Sequence, residues 1–426
     1  MTIAALLFCL QASADLAEDL RTAIALPTPD ERRAAALELA RRDVELEAWL
    51  AAARGFGMFE ETSPGMRTET VPLWVGEAEL EDTQLTLYVP AIYDPATPAP
   101  LLLALHWTGG SGRSLHQMWS AVAEELGLLI LSPSDPGANV GYTFSPRERL
   151  ATLEALRWMR QRFNVDENRV FATGISRGGH LAWDLALRHP DILAAMAPMI
   201  GGPRIQVAGG ENNVRYMENV VGLPIRDLQG SNDDPILVFN LRLAFERLEG
   251  WDAPDARLIE FPELGHSYDP RVVDWRAFWG GAVRDPVPER VVRCTAREGE
   301  GRAFWVDVLA VTDEVADEFM PEVKKSRWEK MDRFERLAYV QGEADERTAR
   351  LEATLTPSGR IKVVAKRVEK FRLLLTEEMA PKREVLVSYN RKTIRRRKEL
   401  SKEVLLLEFV ERFDRTFLPV IEVKVP

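Results

Sequence analysis

Between Val71 and Gly281 short, wholly apolar runs alternate with longer amphipathic stretches. Leu101-Leu102-Leu103-Ala104-Leu105 carries no polar residue at all, as expected of a strand covered on both faces. Strands are predicted near 71–75, 77–80, 84–89, 101–105, 128–131, 169–175, 195–199, 223–228 and 257–261. Helices are predicted near 116–126, 147–163, 178–189, 235–249 and 270–279. Alternating βα units imply a mainly parallel sheet with helices on both faces, the first strands forming a hairpin at one edge. Such a sheet carries its site beyond the C-terminal ends of its strands.

Two further regions flank this one. Residues 15–66 form an N-terminal helical segment: Thr28-Pro29-Asp30-Glu31 supplies an N-cap, a Pro at the first position and a capping-box Glu, and Ala35, Leu37, Leu39, Val44, Leu46 and Leu50 make an apolar face. A peripheral hairpin packed on the body is predicted, with a helical cap over the site as the alternative. The α/β region is bounded at 67–284, and Arg284-Asp285-Pro286-Val287-Pro288 is a linker. Residues 289–426 are predicted to be a β-rich, sandwich-like domain. Its strands are placed at Ala303 to Leu309, Arg360 to Ala365, Arg372 to Leu375, Val385 to Tyr389, Val404 to Glu408 and Pro419 to Val425, with one charged helix at 326–338. The basic run Arg391 to Lys398 is assigned to a hairpin turn. A solvated turn is its default role, with contact to an acidic glycan or a membrane surface as the alternative.

Residues 1–14 resemble a short secretory signal, with an apolar stretch from Ile3 to Leu10 and Ala12-Ser13-Ala14 before the cleavage position. The chain is therefore expected to be secreted or periplasmic in a bacterium, and no other segment is long enough to span a membrane. The net charge of −11 argues against nucleic acid as a partner. That charge is uneven, since residues 289–426 have an excess of four basic groups. Two cysteines cannot form a disulfide framework.

Candidate chemistry centres on Arg169-Val-Phe-Ala-Thr-Gly-Ile-Ser-Arg-Gly-Gly-His180. An apolar strand runs into Gly174-Ile175-Ser176-Arg177-Gly178, a G-x-S-x-G sequence, and a helix follows at once. This context fits a nucleophile elbow, in which the serine hydroxyl stands exposed on a strained turn and glycines allow strand and helix to approach. In this arrangement the acid follows the serine and the histidine comes last. The chain has five histidines, and the last 160 residues have none. His266, in a Gly-His loop after a strand, is the candidate base. The acid is expected in Ser231-Asn232-Asp233-Asp234-Pro235, with Asp233 preferred and Asp234 the competitor; the other one should cap the helix from Pro235. An oxyanion hole would use the N–H of Arg177 and a loop N–H from Thr108, or alternatively Trp107, in His106 to Gly112. Trp107 and Trp183 are the substrate-binding candidates, with Trp119, Tyr142 and Phe144 as further aromatics near a pocket. Neither a metal nor a cofactor is indicated.

These segments, together with Leu87-Tyr88-Val89-Pro90, Asn164 to Val170 and Glu263-Leu264-Gly265-His266, resemble the α/β-hydrolase superfamily. Within it they are most similar to secreted bacterial esterases and polyhydroxyalkanoate depolymerases with prolyl-oligopeptidase-like relatives. The likeness covers about residues 85–285. It implies a serine hydrolase that cleaves carboxylic esters of small-molecule or polymer substrates through Ser176, His266 and Asp233 without a cofactor. A serine peptidase and an inert fold serving as an exported binding protein are the alternatives. Family members carry Gly after the loop histidine, where this chain has Trp107, and the loop oxyanion donor depends on that backbone.

Overall fold

The computed structural model describes residues 15–76, 80–134, 140–206, 212–381, 383–390, 392–397 and 399–426. The signal-like residues 1–14 lie outside them, as does most of the strand expected at 77–80.

An eight-stranded sheet has the order β1-β2-β4-β3-β5-β6-β7-β8. Its strands are β1 (Gly65–Leu73), β2 (Glu81–Val89), β3 (Ala99–Leu105), β4 (Leu129–Ser134), β5 (Val165–Ile175), β6 (Ala195–Met199), β7 (Ile225–Gly230) and β8 (Ala256–Phe261). β1 pairs antiparallel with β2 and β2 with β4, while every later pairing is parallel. Side chains alternate across β3. Leu101, Leu103 and Leu105 face one apolar core, and Leu102 and Ala104 face another. The sheet is thus sealed on both faces, which drives its apolar side chains out of water at roughly 25 cal/mol per Å².

The N-terminal helices are α1 (15–24), α2 (Pro29–Ala40) and α3 (Leu46–Arg54). Thr28 caps α2 in a full capping box with Glu31. The helices crossing the sheet are α4 (His116–Leu126), α5 (Pro146–Arg162), α6 (Arg177–Arg188), α7 (Pro235–Gly250) and α8 (Trp275–Gly281).

Beyond the linker come β9 (Arg290–Thr295), β10 (Arg302–Ala303), β11 (Val306–Val311), α9 (Lys325–Trp328), α10 (Arg333–Glu346), β12 (Ala349–Leu355), β13 (Arg360–Lys366), β14 (Val368–Leu375), β15 (Glu384–Tyr389), β16 (Lys392–Arg397), α11 (Lys402–Arg412) and β17 (Ile421–Val425). They form a four-stranded sheet β10-β11-β14-β17 and a five-stranded sheet β16-β15-β13-β12-β9. Both sheets contribute to one core, so the region is a sandwich-like accessory unit.

Two expectations fail here. Residues 404–408 are not a strand but the middle of α11. Ser401 caps its N-terminus, and Leu405, Leu406, Phe409 and Val410 make the buried stripe, an i, i+1, i+4, i+5 spacing that only a helix turns to one side. The basic run is not a turn either. Its described part, 392–397, is edge strand β16, and the reversal occurs just before it, at Asn390 with φ 50°. Arg395 there pairs with Glu384, and a charged edge of this kind discourages strand addition.

The N-terminal helices do pack at the periphery, but on the accessory region. Leu20, Ile24, Trp49, Ala53 and Phe56 share its apolar core, and α2 lies against α11. The two ends of the described chain therefore share one core beside the α/β unit.

Candidate active site

The elbow is locked by three close backbone approaches. Ser176 stands between β5 and α6 with φ 54° and ψ −112°, a left-handed conformation that a residue with a Cβ adopts only where its surroundings impose it. A Cβ on Gly174 would lie 2.2 Å from the Gly178 carbonyl oxygen, and one on Gly178 would lie 2.0 Å from that of Leu105. One on Gly201 would lie 2.3 Å from the Ser176 carbonyl oxygen. The Ser176 N–H donates to Met199 O at 2.8 Å, and its carbonyl accepts the His180 N–H at 3.1 Å. Strand, helix and the loop after β6 thereby converge on one residue.

The structure brings Ser176, His266 and Asp233 into one hydrogen-bonded line. His266 Nε2 is 2.9 Å from Ser176 Oγ, and His266 Nδ1 is 2.8 Å from Asp233 Oδ2. The loops after β7 and β8 are tied together, which fixes this geometry. Asn232 N donates to Leu264 O at 2.9 Å, Ser231 N donates to Phe261 O at 3.0 Å, and a Cβ on Gly230 would lie 1.9 Å from Gly265 O. The Asp233 side chain is almost buried at 8% exposure, whereas that of His266 is open at 51%. Burial pushes the Asp233 carboxyl upward, but hydrogen bonds from Gln229, His266 and the Asp234 N–H outweigh it and hold the group below its ordinary range. Gln229 Nε2 donates to the same oxygen that faces His266, at 2.8 Å; it sits one turn of chain before the acid, and nothing in the sequence singled it out.

Asp234 takes the other position. Its Oδ1 accepts the Ile236 N–H at 2.8 Å, capping α7, and lies 3.6 Å from Arg333 of α10.

The loop after β3 turns at Thr108 and Gly109. Gly110 N donates to Trp107 O at 2.9 Å, and Gly109 has φ 75°. Thr108 is exposed, with its hydroxyl 3.4 Å from Val140 O, and Trp107 is half-buried. Arg177 opens α6, and its side chain turns inward to Glu148 Oε1 at 2.6 Å.

Trp183 is not a substrate contact. It is fully buried on α6, donates to Asp227 Oδ2 at 2.7 Å and meets the Phe245 ring edge-on. A position two helical turns beyond the elbow faces the sheet rather than the cleft. Trp119, Tyr142 and Phe144 are likewise buried. Phe144 does touch the site's surroundings, tilted against His180 at 6.1 Å with the Arg204 guanidinium 5.2 Å from its centre.

Behind the elbow lies a buried ionic cluster that no local motif announces. Asp184 accepts from Tyr142 Oη at 2.8 Å, from Arg149 at 2.8 Å, from Arg188 at 3.0 Å and from Asn213 at 3.0 Å. Those guanidiniums and amide hold its carboxyl low, at about 2, against the upward push of burial. Among the described residues no cluster of His, Cys, Asp and Glu is placed to hold a metal ion.

No protein-family model matches the chain. It is 28% identical over 200 residues to a "Probable feruloyl esterase C" of Aspergillus niger, covering 45% of this chain and 69% of that protein. It is also 28% identical over 162 residues to feruloyl esterase C of Emericella nidulans, covering 36% and 59%. A "Probable acetylxylan esterase A" of Aspergillus flavus is 23% identical over 133 residues, covering 29% and 43%. These alignments thus span between under half and about two thirds of the relatives they match. Among solved structures, a thermostable esterase aligns with TM-score 0.42 at 20% identity over 51% of this chain and 63% of that one. Esterase Est2 of Thermogutta terrifontis with bound propionate aligns with TM-score 0.39 at 16% identity over 51% and 90%. A mostly parallel sheet with helices on both faces and a strained serine between β5 and α6 give the chain an α/β-hydrolase type of fold, and over that region its sequence is similar to esterases.

Proposed function

We propose that the chain is a serine hydrolase of carboxylic esters, and the observation that carries this is the unbroken line from Asp233 through His266 to Ser176. His266 Nδ1–H donates to Asp233, which fixes the tautomer and leaves the Nε2 lone pair facing Ser176 Oγ. As Oγ attacks the ester carbonyl, its proton passes to Nε2 and the Asp233 carboxylate stabilises the imidazolium. The N–H groups of Arg177 and Thr108 hold the oxyanion, a contribution of about 3–4 kcal/mol per donor in comparable sites. The imidazolium then protonates the leaving alcohol; water, giving its proton to His266, attacks the acyl-enzyme, and the proton returns to Ser176 Oγ as the acid departs.

The half-exposed His266 supports a bulky substrate, and the feruloyl and acetylxylan esterase relatives support an ester formed on a carbohydrate hydroxyl. Trp107, half-buried on the loop after β3, would be the aromatic surface that receives a ring. The apolar stretch before Asp15 supports export, and the basic edge strand β16 supports contact with an acidic glycan.

Labelling with a fluorophosphonate probe tests the reading, with wild type reacting and Ser176→Ala and His266→Ala silent. Labelling of Ser176→Ala at the wild-type rate would overturn it. Parallel turnover of an aryl ester and an aminoacyl anilide separates esterase from peptidase, and the ester is expected to be the faster by far.

A further inference from the structure

A cavity of about 310 Å³ lies where α2, α5 and α11 meet. Its walls come from stretches far apart in sequence, and they include Arg32, Arg157, Arg160, Arg412, Glu154 and Glu411.

The charges around it do not balance. Arg32 is met by Glu154 at 2.9 Å and by Glu411 at 3.4 Å. Arg157 donates to the carbonyls of Val410 and Glu411 and lies 3.6 Å from Glu154. Arg412 pairs with Asp191. Arg160 is different: it is only 7% exposed, and its Nε and one Nη have no hydrogen-bond partner among the described residues. Every other buried arginine among the described residues donates to a carboxylate or a carbonyl. The acids whose field reaches Arg160, Glu167 and Asp414, already hold Arg415 at 2.6 Å and Arg284 at 2.7 Å.

An isolated buried guanidinium is costly, because it has lost its hydration without gaining a counter-charge. Arginine also presents a planar fork suited to oxyanions. We propose that this cavity is a binding site for a small oxyanion, held by Arg160 against a wall of paired arginines. The volume accommodates one phosphate or carboxylate group with a few waters, at about 30 Å³ for each water. The occupant would join the N-terminal helices, the α/β unit and the accessory region, and so fasten the three together.

The test is thermal unfolding of the full chain in inorganic phosphate and, separately, in acetate, each against sodium chloride at matched ionic strength. Wild type should show a midpoint that rises saturably with at least one of the two anions, and which of them acts tells a tetrahedral oxyanion from a carboxylate. Arg160→Met and Arg160→Gln should lose that rise. Without added anion Arg160→Met should unfold no lower than wild type, since it removes an unpaired buried charge. Calorimetric titration of phosphate and acetate into wild type gives a reading independent of any variant's folding. No anion-specific rise in wild type, an equal rise in both variants, or an anion-free Arg160→Met midpoint well below wild type would each overturn the proposal.

Discussion

Glu300, on the accessory region's loop between β9 and β10, forms an ion pair with Arg188 near the end of the helix that Ser176 begins. It also lies 3.6 Å from Arg149. Those two arginines hold Asp184, which in turn holds Tyr142 and Asn213; Asn213 accepts the Arg204 N–H at 2.7 Å, and Arg149 donates to Phe144 O at 2.7 Å. An acid from one region thus neutralises the cluster that backs the other region's site loops. Glu300→Gln leaves an excess buried positive charge. Its side chain is 21% exposed, so the loss should be below the 3–5 kcal/mol of a fully buried pair, about 1–3 kcal/mol, read as a lowered denaturant midpoint. Glu300→Asp should recover part of it.

A chain ending after Arg284 should not give a soluble, active α/β unit. Val292, Cys294, Leu337 and Val340 belong to the same apolar core as β3 and α6, and Arg215 donates to Ala316 O, Ala344 O and the Thr348 hydroxyl. Removing residues 285–426 exposes that surface and strands Arg149, Arg188 and Arg215. The truncated protein should be aggregated or expanded by size-exclusion chromatography and hydrolyse no ester. Full ester turnover by a monodisperse fragment would show that the accessory region is dispensable.

The adjacent acids after β7 should separate cleanly. Asp233→Asn keeps the shape but removes the charge that fixes the His266 tautomer, and kcat should fall by about 10³–10⁴-fold. Asp234→Ala removes a helix cap, costs about 1 kcal/mol of stability and leaves kcat near wild type. Kinetics and melting of the two variants should therefore move in opposite columns.

Glycines make a second matched pair. Gly178→Ala drives a Cβ to within 2.0 Å of the Leu105 carbonyl oxygen, so β3 and α6 must part. The expected cost is at least about 3 kcal/mol, with loss of probe labelling at Ser176. Gly222→Ala meets nothing within 4 Å and has no positive φ; it should be neutral or stabilise by up to about 1 kcal/mol. Circular dichroism melts of the two variants decide it.

What the sequence made legible was local. The G-x-S-x-G run between an apolar strand and a helix carries its own geometric requirement, and so few histidines remain that His266 is nearly forced. The sheet followed from apolar runs that alternate with amphipathic ones. Contacts between distant segments left no such trace. Gln229 looks like any strand residue until Asp233 turns back over it, and Glu300 sits in a glycine-flanked loop with no motif. Trp183 shows the converse: an aromatic near a motif suggested a pocket, but helical phase sends it into the core. In α11 three consecutive leucines suit a strand, but Ser401 as a cap and the spacing of Leu405, Leu406, Phe409 and Val410 suit a helix.

Asp227 gives a prediction in which pH is the variable. It is fully buried on β7; among the described residues Oδ2 accepts only the Trp183 indole N–H and Oδ1 has no partner. Burial drives its carboxyl well above the ordinary range, and the indole hydrogen bond lowers it only in part. The folded chain therefore holds this proton across a pH span in which the unfolded chain, with an ordinary Asp near 3.9, has released it. In that span the unfolded state binds fewer protons, so stability falls as pH rises. The contribution is fully present below the unfolded value and is lost on the way up to the folded one. Asp227→Asn keeps an acceptor for Trp183 and has no proton to release. Its melting midpoint should exceed that of wild type at pH 7 to 8, and the gap should close as the pH approaches 4. A gap that stays constant from pH 4 to 8 would mean that Asp227 is charged in the fold and balanced by something other than Trp183.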